Sequence, residues 1–93
     1  MDCRSISFSS HAVARMFERA ISRDDVMAVL KAGMVIADYP DDAPYPSRLM
    51  LGFPNGRPVH VVAAQNIVEG ACYIVTAYVP SEKLWTDDFQ TRR

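Results

Sequence analysis

Cysteine is scarce in this chain. Two residues, Cys3 and Cys72, in a length of 93 are too few for a disulfide framework or a thiolate zinc site, and they read as free thiols in a reducing cytoplasm. Long apolar runs are missing as well. None approaches the roughly 18 residues a membrane-spanning helix needs, and the opening M-D-C-R-S lacks the apolar core of a secretory leader. The expectation is therefore a cytoplasmic protein without a membrane partner. Charge of one sign is also lacking: ten Lys and Arg against eleven Asp and Glu leave a net charge of -1. The molecule as a whole has no electrostatic footprint for nucleic acid or anionic lipid, so phosphate binding would fall to a local basic patch. Arg4, Arg15, Arg19 and Arg23 against Asp2 and Glu18 make the N-terminal quarter such a region. No glycine-rich phosphate loop, G-x-S-x-G turn, H-E-x-x-H or C-x-x-C spacing occurs. Nucleotide-dependent, serine-hydrolase and metal chemistry lack their parts, and neither cofactor nor metal is expected.

What is present is enough for one domain, with an ordinary balance of 49% hydrophobic and 23% charged residues. The pattern centres on Ser9 to Arg19, S-S-H-A-V-A-R-M-F-E-R. Ser9 or Ser10 is a natural N-cap, and Phe8 can staple the first turn. At about 100° per residue, His11, Arg15 and Arg19 fall within an arc of about 80°. Ala12, Val13, Met16, Phe17 and Ala20 form the apolar side of this helix, which is expected to run to about Ala20. Ser22 with Asp25 three residues on resembles a capping box, and Val26, Val29 and Leu30 give a second helical stripe that Gly33 closes. A tight turn between the two predicts an αα-hairpin.

Beyond Gly33 the hydrophobic period changes from 3.6 to 2. Strands are expected over Met34–Tyr39, Ser47–Phe53, Pro58–Gln65 and Ala71–Val79. The third, mostly apolar, is the natural centre of the sheet. Pro40–Pro46 is an acidic, proline-rich loop, and Asn55-Gly56 is a hairpin turn. Ile6-Ser7-Phe8 reads either as a short edge strand or as a lead-in to the first helix. In the tail, Trp85 and Phe89 four apart suit a short helical segment docked on the body. The predicted class is α+β: an N-terminal αα-hairpin on a four-stranded antiparallel sheet, with a short C-terminal helical segment.

Several side chains invite chemistry. His11, Arg15 and Arg19 combine a group that titrates near neutral pH with two phosphate-clamping cations; as plain structure, they are a solvated helix face. His60 lies within an apolar strand and needs a partner or a purpose. Alternation puts Cys72, Ile74, Thr76 and Tyr78 on one face of the last strand, where Thr76 and Tyr78 offer a hydroxyl pair. Arg48 is a further cation, beside Met50 and Gly52.

The segments S-x-H-A-x-x-R-M-x-E-R-x-I-S-x-x-D-V (Ser9–Val26), G-R-P-V-H-V-V (Gly56–Val62) and I-V-T-A-Y (Ile74–Tyr78) resemble the small bacterial proteins of domain-of-unknown-function family 4258. That family is similar, more distantly, to RelE-like and BrnT-like toxins, which are metal-independent ribonucleases. The resemblance implies a RelE-like fold and RNA cleavage by a ribose 2′-hydroxyl. His11 or His60 would then be base or acid, Arg15 and Arg19 would stabilise phosphate, and Thr76 and Tyr78 would position substrate; Arg48, from its place on the second strand and not from the resemblance, is a further substrate-binding candidate. It also implies RNA and a cognate antitoxin as partners. The competing expectation is a catalytically silent protein-interaction module, which the near-neutral charge favours.

Overall fold

The computed structural model describes residues 1–93. Its elements in chain order are β1 (Ser5–Phe8), α1 (Ser10–Glu18), α2 (Arg23–Ala32), β2 (Met34–Tyr39), β3 (Ser47–Gly52), β4 (Val59–Asn66) and β5 (Ala71–Tyr78). The class is α+β, with the five strands in one mixed sheet ordered β1-β5-β4-β3-β2. This corrects the four-stranded antiparallel expectation. Ile6-Ser7-Phe8 belongs to an edge strand, and β1 runs parallel to β5, pairing Ser5 with Ala71 through Phe8 with Ile74. The partner lies some sixty residues away, so nothing local in the sequence marks it. The register sets Ile6 opposite Cys72; Cys3, two residues before β1, lies with its Cα 5.6 Å from that of Cys72, and the two are disulfide-bonded rather than free. No helix is long and apolar enough to cross a membrane.

The helices are not a mutually packed hairpin. Each lies on the sheet by itself, α1 against β5 and α2 against β3 and β4. The core between helices and sheet is built from Ala12, Met16, Ile21, Val26, Val29, Leu30, Met50, Val59, Val61, Ala63, Ile74 and Ala77. β4 is the middle strand, as its apolar run requires. The capping box at Ser22 and Asp25 is present, each side chain accepting from the other's backbone N–H at 3.0 and 2.9 Å. Gly33 caps α2 in an extended conformation (φ -74, ψ 170) open to any residue. Its glycine serves close approach: a Cβ would lie 2.7 Å from the Leu51 carbonyl oxygen.

The α1 helix departs from its apolar reading. Only Ala12 and Met16 are buried, while Val13 is 54% and Phe17 89% exposed. The helix stops at Glu18, because Ala20 takes the left-handed conformation (φ 52). The Ala20 N–H then donates to Phe17 and the Ile21 N–H to Met16, a Schellman ending with alanine where glycine is usual. Composition gave no hint of it. The tail is not helical either. Residues 79–93 form turns closed by a bridge between Trp85 and Arg92.

At the start of α1, Ser9 holds three elements at once. Its hydroxyl accepts from the Ala12 N–H at 3.0 Å and donates to the Val75 carbonyl at 2.9 Å. Its own N–H donates to Ile74 at 3.1 Å. Val75 is the extra residue of a β-bulge: Val62 pairs with Thr76 but Ala63 with Ile74. The bulge reverses the alternation beyond it. Ile74 and Ala77 both face the helices, while Tyr78 turns to His60 on the opposite side. The single face expected for Cys72, Ile74, Thr76 and Tyr78 is thus split in two. Ser9→Ala removes both the cap and the bulge contact, and should lower unfolding free energy by about 1–2 kcal/mol, measured by urea titration; no change would show that the bulge holds itself.

Candidate functional site

The sheet face away from the helices carries a buried histidine at its centre. His60 is fully buried in β4 and both ring nitrogens are engaged: Nε2 lies 2.8 Å from the Phe89 carbonyl oxygen and Nδ1 3.2 Å from the Tyr78 hydroxyl. A carbonyl can only accept, so Nε2 carries the proton. In the neutral ring Nδ1 then accepts from the Tyr78 O–H. The Trp85 indole packs edge-on against the imidazole, ring centroids 4.4 Å apart, and Tyr78 does the same at 5.3 Å. Burial pulls the His60 pKa below its ordinary 6.5 although the Phe89 hydrogen bond opposes this. Phe89 supplies that carbonyl from a left-handed backbone (φ 61), which for a bulky side chain costs about 1–3 kcal/mol unless its surroundings hold it. Its ring is braced edge-on against Phe53, centroids 6.5 Å apart.

The four tyrosines of the chain gather on this face. Cross-strand pairing runs Tyr39–Ser47–Ala64–Tyr73 over four strands, in the same alternation as His60. Tyr45 stacks on Tyr73 with centroids 5.4 Å apart and planes 5° from parallel. This pair borders a cavity of about 360 Å³ floored by Ala64 and Val75. Thr76, next to Val62, shares the face with Tyr78. Burial and nearby Tyr39 push the Tyr78 phenol above its ordinary 10, with Arg92 pulling it down. Arg92 arrives on the tail, its guanidinium 5.7 Å from the centre of the Trp85 ring. The result is a half-exposed hydroxyl, Tyr78, backed by a buried imidazole and overlooked by a cation. In chemical terms this is a hydroxyl–imidazole–carbonyl relay.

The sequence candidates are therefore divided. His60, Thr76 and Tyr78 come together. His11, Arg15 and Arg19 lie exposed on α1, across the sheet from them. Arg15 touches Glu18 at 3.8 Å, and Arg19 is used through its carbonyl, which accepts from Arg57 at 2.8 Å. Arg48 pairs with Asp38 at 3.0 Å and shares the alternation of Met50, on the helix side. Sequence reasoning passed over Tyr39, Tyr45, Tyr73 and Arg92. Tyrosine enrichment in strands is common, and only the pairing register shows that these share a face; nothing local ties Arg92 to Tyr78.

Fold and site together define a small α+β protein with two helices on one side of a mixed sheet and a tyrosine-lined surface on the other. The chain belongs to the family described as Domain of unknown function (DUF4258), which it matches over residues 8–79. The Trp85–Arg92 tail lies outside the matched span. No curated protein and no solved structure matches the chain.

Because the folded state disfavours protonated His60 while the unfolded chain titrates at the ordinary 6.5, the unfolded state binds the extra proton first as pH falls. Stability from this group is complete above pH 6.5 and is lost below it. Between pH 7 and 5.5 unfolding free energy should fall with a slope of up to about 1.4 kcal/mol per pH unit. Urea titrations followed by fluorescence of the single tryptophan would measure it. The slope should flatten in His60→Gln; a slope unchanged there would assign the dependence to other groups.

Proposed function

We propose that the tyrosine-lined face binds single-stranded RNA and cleaves it without metal, and that the protein is the cytoplasmic toxin component of a toxin–antitoxin pair. The observation that carries this reading is the Tyr78 hydroxyl, hydrogen-bonded to buried His60 at 3.2 Å and close to Arg92. Aromatic faces stack on unpaired bases with little dependence on sequence, and Arg92 at the edge of this face offers a cation for the backbone. The distant likeness to RelE-like and BrnT-like toxins that the Ser9–Val26, Gly56–Val62 and Ile74–Tyr78 segments suggest is consistent with it.

In this mechanism the Tyr78 oxygen takes the proton of a ribose 2′-hydroxyl while its own proton passes to His60 Nδ1. The 2′-oxygen attacks the adjacent phosphorus, forming the cyclic phosphate, and the bond to the 5′-oxygen breaks. The proton on Nδ1 returns through Tyr78 to that leaving oxygen. Burial makes the imidazolium a ready donor, Arg92 faces the phosphate charge, and Thr76 positions the ribose. In a reducing cytoplasm Cys3 and Cys72 would be paired thiols, packing as small apolar groups.

An end-labelled single-stranded RNA and its 2′-deoxy counterpart, incubated with purified protein in EDTA, test this. RNA alone should be cut, leaving 2′,3′-cyclic ends. Tyr78→Phe keeps the ring and should slow cleavage by about 100-fold or more. Intact RNA throughout, or Tyr78→Phe cutting at the wild-type rate, would overturn the assignment; loss in His11→Ala instead would move the chemistry to α1. A second reading, a catalytically silent protein-interaction module, draws on a separate observation: Phe17 stands 89% exposed.

A further inference from the structure

On the helix side, Phe8, Met16 and Ile21 form the floor of a groove of about 310 Å³, walled by Val13 and Phe17 and closed by Arg23. Met16 and Ile21 are buried core residues, so the groove opens directly onto the core. Phe17 forms a largely solvent-exposed wall beside it. A helix that spends an aromatic side chain on water, one turn after an exposed valine, has an apolar flank without a partner.

Two of the arginines beside this groove lack a carboxylate partner. Arg15, Arg48, Arg57 and Arg93 each meet one, at 3.8, 3.0, 3.7 and 2.8 Å, whereas Arg19 and Arg23, two residues to either side of Ile21, meet none. The Arg23 guanidinium instead lies 5.9 Å from the centre of the Phe8 ring. From Val13 to Asp24 three arginines stand against Glu18 and Asp24, a local balance of +1 in a chain of net charge -1, and the next residue, Asp25, is turned to Arg57. An apolar trough closed by the Arg23 guanidinium, with exposed Arg19 just past the end of α1, is complementary to an apolar stripe with carboxylates beside it.

We propose that this groove docks an amphipathic, acidic helical segment of a partner protein. The segment's apolar residues at i, i+3, i+4 and i+7 cover Phe17, Val13 and the groove floor, and its carboxylates pair with Arg19 and Arg23. The surface lies across the sheet from the tyrosine face, so docking does not rest on RNA cleavage, and the partner and an RNA strand can be held together.

The test places a photoreactive benzoylphenylalanine at position 17 of the full chain, expressed in the cells that make it, and identifies the crosslinked segment by mass spectrometry. Position 17 is solvent-exposed, so the replacement leaves the core untouched. The expected product is a helix-forming segment with apolar i, i+3/i+4 spacing and net negative charge. Made as a synthetic peptide, that segment should bind at least tenfold more weakly to Phe17→Ser and to the Arg19→Glu/Arg23→Glu double variant. Exchange of its carboxylates for lysine should restore binding to the double variant. Crosslinks confined to a second copy of this chain, to RNA or to a basic segment would overturn the proposal. So would the absence of any crosslink, or affinity indifferent to the charge reversal.

Discussion

One hydroxyl group, that of Ser9, ties together the three parts of the molecule on which everything else depends. As acceptor it starts α1; as donor it satisfies the Val75 carbonyl in the bulge of β5. The backbone of the same residue extends β1's pairing by one further hydrogen bond to Ile74. A hydroxyl can do both because one oxygen offers a proton and lone pairs together; an N-cap aspartate, acceptor-only when ionised, would cap the helix but leave the Val75 carbonyl without its donor. The position of α1 on the sheet and the facing of Tyr78 are therefore set by a single junction, and the two surfaces described above are mechanically linked through it.

Those surfaces divide the chain's chemistry. The sheet side collects all four tyrosines, the tryptophan and a histidine whose nitrogens are both occupied. The helix side carries Arg19 and Arg23, which meet no carboxylate, and an exposed phenylalanine. Glu18 on α1 and Asp24 and Asp25 at the start of α2 lie on the same side. What separates the two sides is therefore aromatic content, not a segregation of charge.

Much of the architecture was legible because it is local. The Ser22–Asp25 box, the strand at Met34–Tyr39, the Asn55-Gly56 turn with both residues at positive φ, and the central place of β4 follow from patterns spanning a few residues. What escaped was non-local or cryptic. The β1–β5 pairing joins opposite ends of the chain, and so does the Cys3–Cys72 bond. The helix ending at Ala20 uses a residue with no conformational signature. In the site, His60 was visible as a polar residue in an apolar strand, and Thr76 and Tyr78 as a hydroxyl pair. Tyr39, Tyr45 and Tyr73 each looked like routine strand or loop residues. Arg92 reaches the site only because Trp85 and Phe89 anchor a tail of turns where a helix was expected.

The bulge at Val75 has an evolutionary consequence. A bulge residue is extra to the ladder, so the pairing on either side of it does not depend on its presence. Loss of Val75 by a single-codon deletion would make Ile74 and Thr76 neighbours opposite Ala63 and Val62, with Thr76 and Tyr78 still on the sheet face and Ala77 still under the helices. What such a deletion removes is the carbonyl to which Ser9 donates. Relatives one residue shorter here would keep both faces, and a change of length at this position should travel with a change at position 9.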